Sequence, residues 1–304
     1  MNNFKPLVIV LAGPTASGKT ALAIELAKRL ELAILNIDSR QVYKGMNIGT
    51  AKPTKQQQIE VKHHLIDIRQ PNKPLTLQEF HDEAIKCIEE IFRIKKVAFL
   101  VGGSGLYLKS LTSGFKPPAV APQHGFRNYL NSLGQEFCYE LLQLGDPIAA
   151  KRIARQDEVR TKRALEVLYA TGSCISELQK FEPPKWNILE LGLDPKNLKD
   201  RINNRTQCLY RSGLVEETQW LINKFGESLP LMQTIGYQEA LKLIKREYSL
   251  ETAIKETNRR TTQFAKRQRT WFRGQHNIQW LNDDDPLQEA MTLINKVLVC
   301  RKQT

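Results

Sequence analysis

The apolar positions of this chain fall first in short unbroken runs and then at helical spacing. Leu7-Val8-Ile9-Val10-Leu11 is β-branched and of strand length, and Thr20 to Leu30, rich in Ala, Leu, Glu, Lys and Arg, predicts a helix. A second run, Leu32 to Ile37, predicts a strand that ends at Asp38. Phe80, Ala84, Ile85, Ile88, Ile91 and Phe92 recur at steps of three and four, which gives a helix over Thr76 to Ile94. Val97 to Val101 reads as a third buried strand, and Leu106 to Leu111 starts another helix. Strands and helices alternating in this order predict an α/β fold, a parallel, doubly wound sheet with helices on both faces.

The pattern changes at Gly114. Lys116 to Pro122 is a stiff, proline-rich linker. From Arg127 to Gln179 the periodicity is helical in short pieces, with Asp146-Pro147 and Asp157 as helix starts and Thr171-Gly172 as a helix end. Ile188 to Leu193 returns as an apolar strand and is expected to rejoin the first sheet. Residues 117–187 thus read as an all-helical insertion between a first core segment, 1–116, and its completion, 188–304. The stretch Pro195 to Gln275 is helical again: one helix carries Arg201, Arg205 and Arg211 and stops at Gly213, and Ser249 caps the last long helix. Ile278 to Leu281 predicts a final short strand.

The chemistry lies at the junctions. Gly13-Pro14-Thr15-Ala16-Ser17-Gly18-Lys19-Thr20 has the spacing of a phosphate-binding loop and sits between a strand and a helix. Such a loop turns backbone N–H groups inward, and the helix N-terminus adds partial positive charge. Lys19 would neutralise an outer phosphate, and the Thr20 hydroxyl would ligate Mg²⁺, an ion that prefers oxygen ligands. The loop alone does not decide between a nucleotide and a bare diphosphate. Asp38 stands at a strand end close to it, where three roles are open: Mg²⁺ ligand, general base, or cap of the Asp38-Ser39 turn. Gly102-Gly103-Ser104-Gly105 forms a second strand–glycine–helix junction without an acid, which argues against plain ATP hydrolysis.

Charge narrows the partner. The 304 residues carry a formal net charge of +13, which points to an anionic partner, with nucleic acid foremost. The charge is clustered. Lys255, Arg259, Arg260, Lys266, Arg267, Arg269 and Arg273 share the long helix after Ser249 with only Glu251 and Glu256, net +5, and Phe264, Trp271 and Phe272 are interleaved and expected to pack on the core. A second cluster, Lys151, Arg152, Arg155, Arg160, Lys162 and Arg163, lies in the insertion. Five scattered cysteines without a C-x-x-C pair fit a reducing cytoplasm, and the adjacent His63 and His64 point to opposite faces of an extended segment, which disfavours a shared metal. The apolar run after Lys5 is too short for a membrane span and leads straight into the phosphate loop, so it is read as the first strand and no membrane partner is expected.

Taken together, residues 13–20, Asp38 to Met46 with Gly49 to Pro53, His63 to Asp67, Gly102 to Tyr107, Arg160-x-x-Arg163-Ala164-Leu165-Glu166, Gln233-x-Ile235-Gly236-Tyr237 and Ala265-Lys266-Arg267-Gln268-x-Thr270-Trp271-Phe272 resemble the bacterial tRNA dimethylallyltransferases, in order and over nearly the whole chain. The resemblance implies transfer of a dimethylallyl group from dimethylallyl diphosphate to N6 of adenosine 37, beside the anticodon of tRNAs that read codons beginning with U. It implies Mg²⁺ on Thr20 and a phosphate loop that holds a diphosphate leaving group; a monomer is expected. It also implies that Asp38 takes the proton from N6, with Ser104 beside it where the family usually has Thr. Ser39, Arg40, Gln41, Arg127, Val159, Arg160, Thr161, Lys162 and Arg163 match positions that touch the tRNA anticodon stem-loop. The alternatives are a dimethylallyltransferase acting on free adenylate, a small-molecule kinase, and a non-enzymatic RNA-binding protein; the two basic clusters speak against the first, and the insertion is unexplained by the second.

Overall fold

The structure, a computed structural model, describes residues 5–303. In chain order the elements begin with β1 (Leu7–Ala12), α1 (Lys19–Leu30), β2 (Ile34–Ile37), α2 (Lys55–Glu60), β3 (His63–His64), α3 (Leu77–Ile94), β4 (Val97–Gly102) and α4 (Gly105–Thr112). Then come β5 (Phe115–Lys116), α5 (His124–Leu133), α6 (Gln135–Gly145), α7 (Pro147–Arg152), α8 (Glu158–Thr171), α9 (Ile175–Leu178) and β6 (Lys180–Phe181). The chain continues through β7 (Asn187–Gly192), α10 (Leu198–Arg211), α11 (Leu214–Phe225), α12 (Tyr237–Ile244), α13 (Leu250–Gln275), β8 (Gln279–Trp280) and α14 (Pro286–Gln303). It divides into two compact units, one of residues 1–111 with 184–304 and one of residues 112–183. Among the described residues no helix is long and apolar enough to cross a membrane.

In the first unit the sheet order is β3-β2-β4-β1-β7-β8, and every pairing is parallel. β1 is buried along its whole length because both faces are covered. On one face Leu7, Ile9 and Leu11 pack with α1; on the other Val8 and Val10 pack with Phe80, Ala84 and Ile88 of α3. The register matters more for function than the packing. Ala12 pairs with both Gly102 and Gly192, and Ile37 pairs with Gly102, so four strands finish at one level. The residues that follow, Gly13, Asp38, Gly103 and Leu193, therefore leave the sheet along a single edge. Close approach there demands glycine: a Cβ on Gly102 would lie 2.0 Å from the Ile37 carbonyl oxygen.

Helix α14 and the strand pair β5–β6 go beyond the sequence reading. Residues 286–303 form α14, whose Ala290 and Ile294 pack in the core beneath α1 with Leu22 and Leu26. The helix after Ser249 is thus the last but one, and the spacing Leu287, Ala290, Met291, Ile294 carried the signal. In the second unit, β5 and β6 pair antiparallel, with Phe115 against Phe181, and join the two ends of an otherwise helical segment. The expected caps form: Asp146 accepts from Ala149 N–H with Pro147 at the first turn, and Asp157 accepts from Arg160 N–H.

Glu166 organises the second unit. Its side chain is fully buried on α8 and accepts two hydrogen bonds from Arg127 (both 2.8 Å), one from Gln123 N–H (2.7 Å) and one from Arg163 (2.5 Å). Burial alone would raise its pKa, but the hydrogen bonds from Arg127, Gln123 and Arg163 outweigh it and hold the carboxyl down at about 2. A depressed carboxylate stabilises above its unfolded value and loses that contribution as pH falls. Stability of this unit is therefore expected to fall as pH drops from about 4.5 toward 2, and Glu166→Gln should cost roughly 2–4 kcal/mol and flatten that acid limb. Urea unfolding at pH 7 and pH 3 measures both.

Candidate active site

Along the common strand edge the chain forms a cavity of about 350 Å³ in the first unit. Thr15, Lys19, Thr20, Asp38, Ser39, Arg40, Gln41 and Ser104 all line it, so the residues expected from both glycine junctions converge. The phosphate loop needs unusual backbone to do this. Gly13 has φ +144°, and a Cβ there would sit 2.3 Å from the Leu193 carbonyl oxygen. Gly18, at φ +95°, starts α1. Ala16 packs on Leu198, Ile202 and Ala265, which seats the loop against two helices. Ser17 is buried, and its hydroxyl lies 3.3 Å from the Lys19 Nζ, which also donates to the Pro14 carbonyl at 2.6 Å.

Two cations share this cavity. Burial, then the neighbouring charge of Arg205, lowers the Lys19 pKa to about 7, while Asp38 pulls the other way. Arg205 is likewise lowered by burial, with Asp38 opposing. Arg205 lies on the α10 face that carries Ile202, Thr206 and Leu209 into the same cavity, an i, i+3, i+4, i+7 set. The sequence reading saw Arg205 only as one of three arginines; its place on an otherwise buried stripe was the available clue.

Asp38 serves a turn and faces the cavity as well. Its Oδ1 accepts from the N–H groups of Arg40 (2.8 Å) and Gln41 (3.3 Å), and among the described residues no hydrogen bond reaches Oδ2. The Ser104 hydroxyl accepts from Ser39 N–H at 3.0 Å, which leaves its own proton to donate. Gln41 holds the rim of the cavity through the Thr50 and Ala51 carbonyls, at 3.0 and 3.2 Å. Glu217 fixes the same rim by accepting from the N–H groups of Asn47, Ile48 and Gly49 and from the Tyr237 hydroxyl.

Gln268 belongs to the motif Ala265 to Phe272, which by itself assigns it no role. It is buried on α13 and joins the two glycine junctions: its Oε1 accepts from Thr15 N–H and its Nε2 donates to the Gly103 carbonyl, both at 2.8 Å. A polar residue on the stripe of Ala253, Thr257, Ala265 and Phe272 was the sign that it had work beyond packing.

The basic positions divide into two kinds. On α13, Arg259 pairs with Glu256, Arg260 with Glu239, and Arg269 and Arg273 both with Asp194. Lys266 and Arg267 stay exposed, the latter over the Phe264 ring. Phe272 is buried as expected, whereas Phe264 is 38% exposed and lines the cavity instead of the core. In the second unit Val159 and Arg160 are exposed. Thr161 is fully buried, so its side chain is not a surface contact; it accepts from Gln135 at 3.1 Å. Lys162 is 8% exposed and bonds Asn131 and Glu158, and Arg127 and Arg163 are bound to Glu166.

Among the described residues no three His, Cys, Asp or Glu gather into a metal cage. The hydroxyl of Thr20 and the carboxylate of Asp38 suit instead a hard ion that takes most of its ligands from phosphate and water, as Mg²⁺ does.

Sheet order and the loop after β1 define a P-loop-type α/β protein. Residues 41–275 match the model of the family described as IPP transferase. The chain belongs to that family. It is 58% identical over 298 residues, 98% of this chain and 100% of the relative, to a tRNA dimethylallyltransferase of Prochlorococcus marinus. It is 59% identical to the enzyme of that name from a Synechococcus species, over 97% of this chain and 99% of the relative. Among solved structures, the tRNA isopentenylpyrophosphate transferase of Staphylococcus epidermidis superposes with a TM-score of 0.69 at 35% identity, over 96% of this chain and 100% of that one. A eukaryotic dimethylallyltransferase solved acting on tRNA gives a TM-score of 0.81 at 28% identity, over 97% of this chain and 80% of that one.

A diphosphate ester entering the cavity would restore the Lys19 charge. Between pH 7.5 and 9 an alkyl diphosphate should bind with uptake of about one proton, and its affinity should fall by up to about tenfold per pH unit. Calorimetry in buffers of different ionisation enthalpy measures the uptake, and Lys19→Met should abolish it.

Proposed function

We propose that this protein transfers the dimethylallyl group of dimethylallyl diphosphate to N6 of adenosine 37 in tRNA, with release of diphosphate. The observation that carries the reading is the pairing of Lys19 and Arg205 in one cavity with a carboxylate, Asp38. Two partly desolvated cations favour a compact polyanion, and the nearby base favours a nucleophile that must lose a proton. The names of the relatives supply the rest of the substrate pair.

In this reading the loop N–H groups, Lys19 and Arg205 hold the diphosphate and stabilise the charge that grows on it as the C–O bond breaks. The Thr20 hydroxyl would hold Mg²⁺, whose chemistry there would be to neutralise charge on the leaving group. The adenine leaves its stack and enters the cavity, a cost of a few kcal/mol that protein contacts offset. Ser104 donates its free proton to the base and keeps it in line. The N6 amine forms the new bond to the allylic carbon, and Asp38 accepts the N6 proton. Arg127, Val159, Arg160, Lys162 and Arg163 mark the second unit as the tRNA-binding insertion, with Val159 and Arg160 as its exposed contacts and Thr161 supporting them from inside. Lys266 and Arg267 add phosphate contacts from α13.

Label from ¹⁴C-dimethylallyl diphosphate should enter tRNA and not free AMP; label in AMP alone or in neither overturns the reading. Asp38→Ala should lower turnover roughly 10²–10⁴-fold with tRNA affinity retained, as single-turnover assays and filter binding would show. Arg267→Ala should reduce the slope of log affinity against log salt by about 1. Arg269→Ala, which breaks the pairing with Asp194, should instead lower the melting temperature.

A further inference from the structure

Asn36 is a polar cavity residue without a role in the reaction just described. Asn36 lies on β2 two residues before Asp38, so strand alternation puts both side chains on one face. Its neighbours Ile34, Leu35 and Ile37 are all buried and apolar, as a central parallel strand requires. Asn36 is 7% exposed, lines the cavity with Thr20, Val101 and Asp38, and its Nδ2 is buried with no hydrogen-bond partner among the described residues. Burying an amide donor unpaired is destabilising, and an apolar side chain of similar volume would avoid that penalty. Such a group in a ligand cavity calls for an acceptor that arrives with the ligand.

The charges around Asn36 select what that acceptor is. Lys19 and Arg205 already crowd two cations together, and a third would push Lys19 further down. A carboxylate at position 36 would repel a diphosphate and compete with Asp38 for any metal. A neutral donor adds a contact to an anion without either effect. Thr20, the residue expected to hold Mg²⁺, lines the same cavity as Asn36.

From this we infer that Asn36 is a donor-binding residue: its Nδ2 donates to an oxygen at the leaving group, either of the diphosphate itself or of a water in the metal's shell. The inference rests on the diphosphate reading above and extends it to a residue outside the phosphate loop.

The test uses the full chain and a non-reactive thiolodiphosphate analogue of the donor, titrated by calorimetry with and without Mg²⁺. Asn36→Leu should weaken binding about tenfold, and Asn36→Ser should recover part of the loss. Affinity for tRNA in the absence of donor should not change, which separates a ligand contact from a general loosening of the fold. An equal loss with and without Mg²⁺ assigns the contact to a diphosphate oxygen, and a loss only with Mg²⁺ assigns it to a metal-bound water; either supports the inference. Should Asn36→Leu fail to fold, Asn36→Asp decides: binding lost without Mg²⁺ and regained with it supports the inference, and wild-type binding in both conditions overturns it. Asn36→Leu binding within twofold of wild type in both conditions overturns the inference alone. A wild-type chain that does not bind the analogue overturns the diphosphate reading, and this inference with it.

Discussion

The constraint on which this molecule depends is the confinement of two cations beside one carboxylate at the edge of a parallel sheet. Lys19 arrives with the helix that follows β1, Asp38 with the end of β2, and Arg205 with a helix more than 160 residues further on. In water such charges would be screened and solvated. Inside the cavity the cost of keeping Lys19 protonated brings its pKa down to about 7, so confining these cations together is unfavourable and an anion among them relieves it. In the proposed reaction, binding energy and stabilisation of the leaving group would then have the same source.

The rest of the first unit serves to hold these three groups in place. The shared register of β1, β2 and β4 brings Gly13, Asp38 and Gly103 to one level. Gln268 then bonds the loop at Thr15 to the turn at Gly103, so α13 is fastened to both junctions at once. Hydrogen bonds of this kind limit the movement of a loop whose glycines would otherwise let it sample many conformations. Glu217 does the same for the segment Asn47 to Gly49, where one carboxylate satisfies three consecutive N–H groups.

In the second unit a single buried carboxylate plays the organising part. Glu166 draws Arg127 and Arg163 onto itself, so two of the basic residues expected to meet RNA have a structural partner. Binding to phosphate and holding Glu166 are compatible for Arg163, which is partly exposed, and for Arg127, whose side chain is 38% exposed. Thr161, at no exposure, contributes from within.

Much of this was legible in the residues alone. Short apolar runs, the first three followed by glycine or by Asp38, determine a parallel sheet with its chemistry at the carboxyl edge, because local periodicity and turn chemistry depend on neighbours in sequence. The break at Gly114 and the return at Ile188 mark the insertion for the same reason. What the sequence could not say is which distant side chains meet. That Arg205 joins Lys19, that Gln268 spans two turns, that Arg269 and Arg273 answer Asp194, and that Thr161 is buried are facts of tertiary packing. Charge count made α13 a uniform basic face; the fold divided it into paired structural arginines and an exposed remainder, because ion pairs are made across space between segments that local pattern never relates.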